Sequence, residues 1–597
     1  MLSYDPPVAN YMFLFKELID LDKHRHLRGF ADLDLEIVEA VLTEAGKIAS
    51  EVALPVSASA DIEGCTRHPD GSVTTPSGFR EAYRAYTEGG WAGLAAPAQY
   101  GGQDFPRTVA TAVMEFRSGS NQSFDMYTGW GESIAEILMA HGTPEQCETY
   151  LTRLITGEWT ATMGLTEPHC GTDIGLLRTR AVLQPDGSYK VTGTKIFNSG
   201  GEHDLTDNIV HFVLARVDGD APGSKGISLF LMPKLLPGAN GAFDQRNAVS
   251  CGSIEHKMGL KGSATCVMNY DEATAWIVGE RQQGLVGMFK LMNAIRRRTG
   301  TMAVGVSELA TQNAVLYVKE RLQGRSLSGP KRPEAAADPL IVQPDVRRTL
   351  MQLKSFNEGA RALLVWSGLI ADIVDRSPDK AERAAAAERL ALMTPVIKAY
   401  LSDIGFDNAV SAQQMFGGHG YMAQTGVEQL VRDCRMLAIA EGANGVQGVD
   451  LVLRKLGQNQ GQALFDLIEE IAAQIAANRE ATPSLSLVDA MARSLDELRE
   501  ATAYLVELSG KDREAACAGA TDYIHLMGLV LVGFMWLRIA QAAARLIGED
   551  CDDSGEMAAK LMRARFFAER MLPETALRLT RIKASADSVM ALEEQWF

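Results

Sequence analysis

No C-x-x-C pair occurs among the eight cysteines (Cys65, Cys147, Cys170, Cys251, Cys266, Cys434, Cys517 and Cys551). That argues against a cysteine zinc site or a disulfide framework and fits a reducing cytoplasm, and no metal is expected. Positive charge is scarce too: 58 Lys and Arg stand against 75 Asp and Glu, a formal net charge of -17. Such a balance repels a polyphosphate, so nucleic acid is not an expected partner. The longest apolar run, Leu526 to Leu537, falls well short of the roughly 18 residues that a membrane span requires and reads as a buried helix. The first residues, MLSYDPPVANYMF, hold an acid and two prolines where a secretory signal has a basic stretch and a small-residue cleavage site, so none is read.

What is present fits a large folded protein. At 597 residues, 46% hydrophobic and 22% charged, the chain exceeds the size at which one core stops growing, and two to four domains are expected. Residues 1–160 read as helical, with apolar residues recurring at three and four in LDLEIVEAVLTEAGKIASEVALPV. From residue 161 to 282 the pattern changes. RAVLQPDGSYKVTGTKIF has the alternating runs and Pro-Asp-Gly turn of a hairpin, and DNIVHFVLARV, KGISLFLMP and ATCVMNY add strands. The helical period returns over 283–460, where Val346, Leu350, Leu353, Ala360 and Leu364 share a face, and SLSGPKRPEAAADPLIVQP is a loop. Residues 461–597 form an appended helical domain with fourteen basic and twenty-two acidic residues, which makes it another acidic layer and not a basic tail. The fold class is mainly α with a central β domain.

Five stretches can carry chemistry. MGLTEPHCGTDIGLLRTRA (163–181) starts as a strand and ends in a turn, so its amides and hydroxyls can meet a polar ligand, although such a loop is often only a turn. In GTKIFNSGG (193–201) an aromatic and a hydroxyl precede two glycines, a combination that suits a flat ligand as well as a core strand end. MNAIRRRTG (292–300) sets three arginines on an apolar helix, where one is expected to turn inward and need a partner. QQMFGGHGYM (413–422) is a glycine loop after a helix, which alone is ordinary punctuation. AIAEGANGVQ (438–447) places Glu441 after apolar residues. It is either a first-turn acid serving the helix dipole or a desolvated carboxylate whose basicity is raised.

Taken together and in this order, the five stretches resemble the FAD-dependent acyl-CoA dehydrogenase family over roughly residues 40 to 456. LTEPHCGTD is similar to LTEP-x-x-GSD, KIFNSGG to K-x-W-I-T-N-G, QQMFGGHGY to Q-x-FGG-x-G-Y, and AEGANGVQ to YEGT-x-x-IQ. The extension and the loop ERLQGRSLSGPKRPEAAADPLIVQPDVRRTL resemble the subgroup containing 3-methylmercaptopropionyl-CoA dehydrogenases. The resemblance implies a helical bundle, a β-barrel-like domain and a four-helix bundle, with the helical extension added. It implies FAD as cofactor, an acyl-CoA substrate, electron-transfer flavoprotein as acceptor, and a homodimer or homotetramer.

By position, Glu441 matches the base that removes the α-proton as the β-hydrogen leaves as hydride to flavin N5, and Gly442 lets backbone approach the thioester. Met163, Leu165 and Thr166 match contacts to the flavin edge, Phe197 and Ser199 its face, and Asn444 a further cofactor position. Arg321, Gln414 and Gly418 match positions reaching the FAD of a neighbouring subunit, and Thr172, Asn293 and Arg296 match CoA contacts, Arg296 being the inward arginine. Phe197 stands where tryptophan is commoner, Ala443 where threonine is common and Ala440 where tyrosine is, the last widening the pocket. Arg321 is followed by LQGR in place of the usual aromatic-glycine pair. Two other functions fit the same residues: an acyl-CoA oxidase that uses oxygen, and a non-catalytic flavin-binding scaffold.

Overall fold

Strands of period two and helices of period 3.6 are both used to build two compact units. The computed structural model describes residues 2–238, 240–481, 485–552 and 554–597. Lys47–Phe105 with Ser120–Ile295 form one compact unit, and Met1–Gly46, Pro106–Gly119 and Arg296–Phe597 the other.

The first unit holds the strands β1 Thr66–Arg67, β2 Val73–Thr74, β3 Thr160–Gly164, β4 Arg180–Leu183, β5 Tyr189–Ser199, β6 Ile209–Val217, β7 Ile227–Pro233, β8 Leu235–Pro237, β9 Phe243–Arg246, β10 Val249–Ile254 and β11 Thr265–Val278. The seven-stranded sheet runs β10-β11-β5-β4-β6-β3, and β7 pairs with both β11 and β6. β11, β5, β4, β6 and β7 therefore close a ring, which leaves those strands no open edge. The apolar runs of β6 and β7 are buried almost throughout, as strands covered on both faces must be. The expected hairpin is β4–β5, with Leu183 opposite Tyr189. Its turn is held by Asp186, whose carboxylate accepts from the Ser188 amide (3.0 Å) and hydroxyl (2.7 Å).

Two expectations need correction. Residues 1–160 are not all helical, because β1 and β2 pair across the His68–Gly71 turn. β8, β9 and β10 also go beyond the expected strands. β9 (FDQR) is largely exposed and β10 lacks strict alternation, so neither has the periodic signal that marks a half-buried strand.

In the helical unit the elements that matter are α1 Arg107–Ser120, α2 Gly284–Glu320 (in this unit from Arg296), α3 Pro344–Arg376, α4 Lys380–Met415, α5 Val427–Arg435, α6 Asn444–Asp450, α7 Leu485–Ser509 and α8 Ala520–Gly548. Asp372 of α3 caps α1, accepting from the Arg107 and Thr108 amides at 2.9 Å; such bonds satisfy amides that a helix start leaves open. α8 contains the apolar run noted above. By length and composition it could cross a membrane, but 89% of its most apolar window is buried within the protein, so its apolar surface is already taken up by packing. Gly528 permits the close approach of α8 to α4, since a Cβ there would fall 2.2 Å from the Tyr400 ring. The Trp536 indole of α8 donates to the Ser355 carbonyl of α3 at 2.9 Å. The C-terminal segment thus shares a core with the helices that precede it.

Candidate active site

After α5 the chain makes a short 3₁₀ turn, Met436–Ala438, and reaches α6 through five residues centred on Glu441. Glu441 has φ +59° and Gly442 φ +83°. A left-handed non-glycine residue carries local strain, a feature that gathers at functional sites. The positive φ at 442 favours glycine, and a Cβ there would also press on the Gln447 side-chain nitrogen, 2.7 Å away. The loop is fixed through its backbone: Gln447 donates to the Gly442 carbonyl (3.1 Å), and Arg296 of α2 lies 3.4 Å from the Glu441 carbonyl.

The Glu441 side chain is half-buried. Among the described residues its carboxylate accepts no hydrogen bond and forms no ion pair. Burial raises its pKa to about 6, against the opposing pull of Lys398, Arg296 and Arg298. A partly desolvated, uncommitted carboxylate of this kind is suited to accept a proton. The dipole-serving alternative is poorly supported, because Glu441 precedes the N-cap Ala443 by two residues and Asp450 is the acid that Arg296 approaches, at 3.9 Å.

The arginine triple differs from expectation. Arg296 is partly buried, but Arg298, at 5% exposure, is the deeper. Arg297 is half-buried as well, so none of the three forms the solvated face that the pattern allows. Asn444 is tied to α4. Its amide nitrogen donates to Asp403 Oδ1 (2.6 Å) and has Ser402 Oγ (3.0 Å) and the Ala399 carbonyl (3.2 Å) within reach of its second hydrogen, and its oxygen accepts from Lys398 Nζ (2.6 Å). Those contacts fix the start of α6 beside the Glu441 loop.

In the β-rich unit the structure brings two predicted segments together. Ile196 donates its amide to the Thr166 carbonyl (2.9 Å), and Thr162 Oγ1 donates to the Ser199 carbonyl (2.7 Å). Met163, Leu165 and Thr166 are thereby fixed beside Phe197 and Ser199. The fastening beneath them is Lys195, fully buried, which donates to the Leu165 carbonyl (3.0 Å) and to Glu167 (2.8 Å). Glu167 also accepts from both Thr179 groups and the Arg178 amide. Burial opposes its ionisation, but Lys195 and these donors hold its pKa below the usual carboxylate value. Above this base Phe197 is 62% exposed and held at φ +55°, and among the described residues neither the Thr166 nor the Ser199 hydroxyl has a hydrogen-bond partner. An uncovered ring and open hydroxyls fit a flat, polar-edged group such as a flavin. Thr172 is exposed on the loop that follows.

Arg321, Gln414 and Gly418 are all exposed. The Tyr317 ring stacks on Phe416 (centroids 4.5 Å apart) and its hydroxyl lies 3.1 Å from His419 Nδ1, which ties the glycine loop to the end of α2, where Arg321 follows. Sequence reasoning missed Lys195 and Lys398. The available signal was a lone lysine in an apolar run, TPVIKAYL in the second case, since a buried ammonium needs dedicated partners.

Four family models match in chain order: acyl-CoA dehydrogenase N-terminal domain over 39–158, middle domain over 162–273, C-terminal domain over 282–456, and acetyl-CoA dehydrogenase C-terminal like over 467–593. The 3-methylmercaptopropionyl-CoA dehydrogenase of Ruegeria pomeroyi is 35% identical over 99% of both chains. The broad-specificity linear acyl-CoA dehydrogenase of Mycobacterium tuberculosis is 32% identical over all of both. Among solved structures, Caenorhabditis elegans ACDH-11 in complex with C11-CoA shares the fold with a TM-score of 0.76 at 19% identity, over 99% of this chain and 95% of that one. With a full-length relative above 30% identity and four domain matches in order, the chain belongs to the acyl-CoA dehydrogenase family of flavoprotein oxidoreductases.

Proposed function

We propose that Glu441 is the base in the FAD-dependent α,β-dehydrogenation of an acyl-CoA thioester to the 2-enoyl-CoA. The observation that carries this reading is the uncommitted, half-buried carboxylate on a left-handed loop, with its pKa raised to about 6. The Cα–H proton passes to Glu441, and the C–H electron pair left behind becomes the new C=C π bond as the β-hydrogen departs with its own pair. When bound, FAD supplies the hydride acceptor. The Glu441 amide, presented by the strained loop, is the group on this chain suited to hydrogen-bond the thioester carbonyl and acidify the α-carbon. Gly442 leaves room for that approach.

Met163, Leu165, Thr166, Phe197 and Ser199 are proposed to bind the flavin, with Phe197 covering its face. Arg321, Gln414 and Gly418 would reach the cofactor of a second copy, which makes the active protein a homodimer or homotetramer; Thr172, Asn293 and Arg296 would hold the CoA. The first substrate to test is 3-methylmercaptopropionyl-CoA, after which the Ruegeria relative is named. Electron-transfer flavoprotein is the proposed acceptor and the cytoplasm the proposed location.

The test is anaerobic bleaching of the bound flavin across acyl-CoAs, including 3-methylmercaptopropionyl-CoA and straight chains of several lengths. Bleaching by none of them would defeat the reading, and stoichiometric peroxide in air would replace it with an oxidase. A pH profile gives an independent check. Because the base must be ionised, kcat/KM should fall about tenfold per pH unit below about pH 6. A limb near pH 4 would mean that the carboxyl is not desolvated.

A further inference from the structure

Lys398 lies on α4 with 0% exposure. Its ammonium donates to Asn444 Oδ1 at 2.6 Å and lies 3.4 Å from the Ala438 carbonyl. Those acceptors are three residues after and three residues before Glu441, so one buried cation grips both ends of the strained loop. Asn444 is held in turn: its amide nitrogen donates to Asp403 Oδ1 at 2.6 Å. The other Asp403 oxygen accepts from His525 Nε2 at 2.9 Å. His525 is 7% exposed, packs edge-on against Tyr400 at 5.5 Å, and belongs to α8 in the C-terminal segment. No step of the proposed reaction uses that segment.

A buried polar cluster can be mere packing, since such groups must find partners wherever they lie, and here, among the described residues, only His525 Nδ1 of the linked side chains lacks one. Two features point further. Every link from His525 to Lys398 is a side-chain hydrogen bond, and such networks fix one geometry. The chain of contacts also ends at the loop of the base and not in the general core. The charges facing Glu441 are Lys398 from α4 and Arg296 and Arg298 from α2; those facing Lys398 are Glu441, Asp403 and Arg296. Asp407 and Glu574 lie near the Asp403–His525 end. Burial lowers the Lys398 pKa only to about 8, which leaves it charged at neutral pH.

We propose that the C-terminal helical segment is a positioning element for the catalytic base: His525 orients Asp403, Asp403 orients Asn444, and Asn444 fixes Lys398, which clamps the Glu441 loop. This rests on the reading of Glu441 as the base. Its first test needs no substrate: hydrogen–deuterium exchange of residues 436–447 in the full-length holoprotein, for wild type, His525→Leu, His525→Gln, Asp403→Leu and Lys398→Met. Exchange in that segment should rise about fivefold in His525→Leu, Asp403→Leu and Lys398→Met. His525→Gln, whose amide can still donate to Asp403, should stay near wild type. Lys398→Met should also move the acid limb of kcat/KM upward by about one pH unit with flavin content unchanged, a shift that general loosening would not produce. Wild-type exchange over 436–447 in both His525→Leu and Asp403→Leu would overturn the proposal, as would an unmoved acid limb in Lys398→Met. Should His525→Leu fail to fold, Asp403→Leu, similar in size to aspartate but unable to hydrogen-bond, decides the same point. A wild-type protein that no acyl-CoA bleaches would sink the enzymatic reading, and the exchange result would then decide the clamp by itself.

Discussion

Glu441→Gln is expected to keep its yellow cofactor and lose dehydrogenation by about 10²- to 10⁴-fold, the usual consequence of removing a positioned base. Glutamine is nearly isosteric with glutamate, so the left-handed backbone at φ +59° and the Gln447 contact at 3.1 Å should survive. The loss should appear in the rate of flavin bleaching at saturating substrate, with flavin content measured by absorbance. A variant within tenfold of wild type would remove Glu441 from the mechanism.

The same substitution should stabilise the protein. Burial raises the Glu441 carboxyl from its ordinary value of 4.5 to about 6. A carboxyl with a raised folded-state pKa contributes stability below its unfolded pKa, and that contribution is lost as pH rises through the folded value. At pH 7 the ionised side chain therefore costs the folded state about 1–2 kcal/mol. Glutamine avoids that cost, and its advantage should disappear below about pH 4.5, where glutamate is protonated in both states. Opposite signs for activity and stability would identify the carboxylate as a group kept for chemistry at the expense of the fold. Unfolding midpoints that differed equally between the two proteins at pH 7 and pH 4 would show that the carboxyl is not desolvated in the folded state.

How much of this could be read from the chain depended on how local the cause was. The β4–β5 hairpin, the buried run of α8 and the segments around Thr166, Phe197 and Glu441 announce themselves within about ten residues, because turn chemistry and periodicity act at that range. Asn444 could not be read that way, since Lys398 and Asp403, which claim its side chain, lie 46 and 41 residues away, and His525, which holds Asp403, lies 81 residues away. The arginine triple was half legible. Periodicity showed that an arginine must turn inward, but which one depends on how many sides of α2 are covered, and that is set by tertiary packing. β10 was missed because a short strand gains its place from β11 beside it, not from its own pattern.

The largest stability effect is expected at a residue with no part in the chemistry. Arg361 of α3 is 1% exposed and joins segments that are far apart in sequence. It donates to Glu115 of α1 (2.6 Å) and Glu308 of α2 (2.9 Å) and reaches Asn10 (3.1 Å). Tyr11 donates a further hydrogen bond to Glu115 at 2.5 Å. Burial opposes ionisation of Glu308, yet Arg361, Lys354 and Gln312 carry its pKa down to about 2. Arg361→Met fills a similar volume but leaves two carboxylates buried without the cation that joins them, which should cost about 3–5 kcal/mol and lower the melting temperature on the order of 2–4 °C at pH 7. The pH dependence separates this cause from lost packing. In the wild type the depressed carboxyl contributes stability above pH 4.5 that is lost as pH falls toward 2. In the variant burial is opposed only by Lys354 and neutral donors such as Gln312, and the folded-state pKa rises, so its deficit should shrink between pH 7 and pH 5. Adding Glu115→Gln and Glu308→Gln should recover much of the loss, since a buried cluster replaced as a whole costs less than one broken in half. A deficit that stayed constant with pH, or a triple variant no better than Arg361→Met, would show that the guanidinium acts here as filler and not as a counterion.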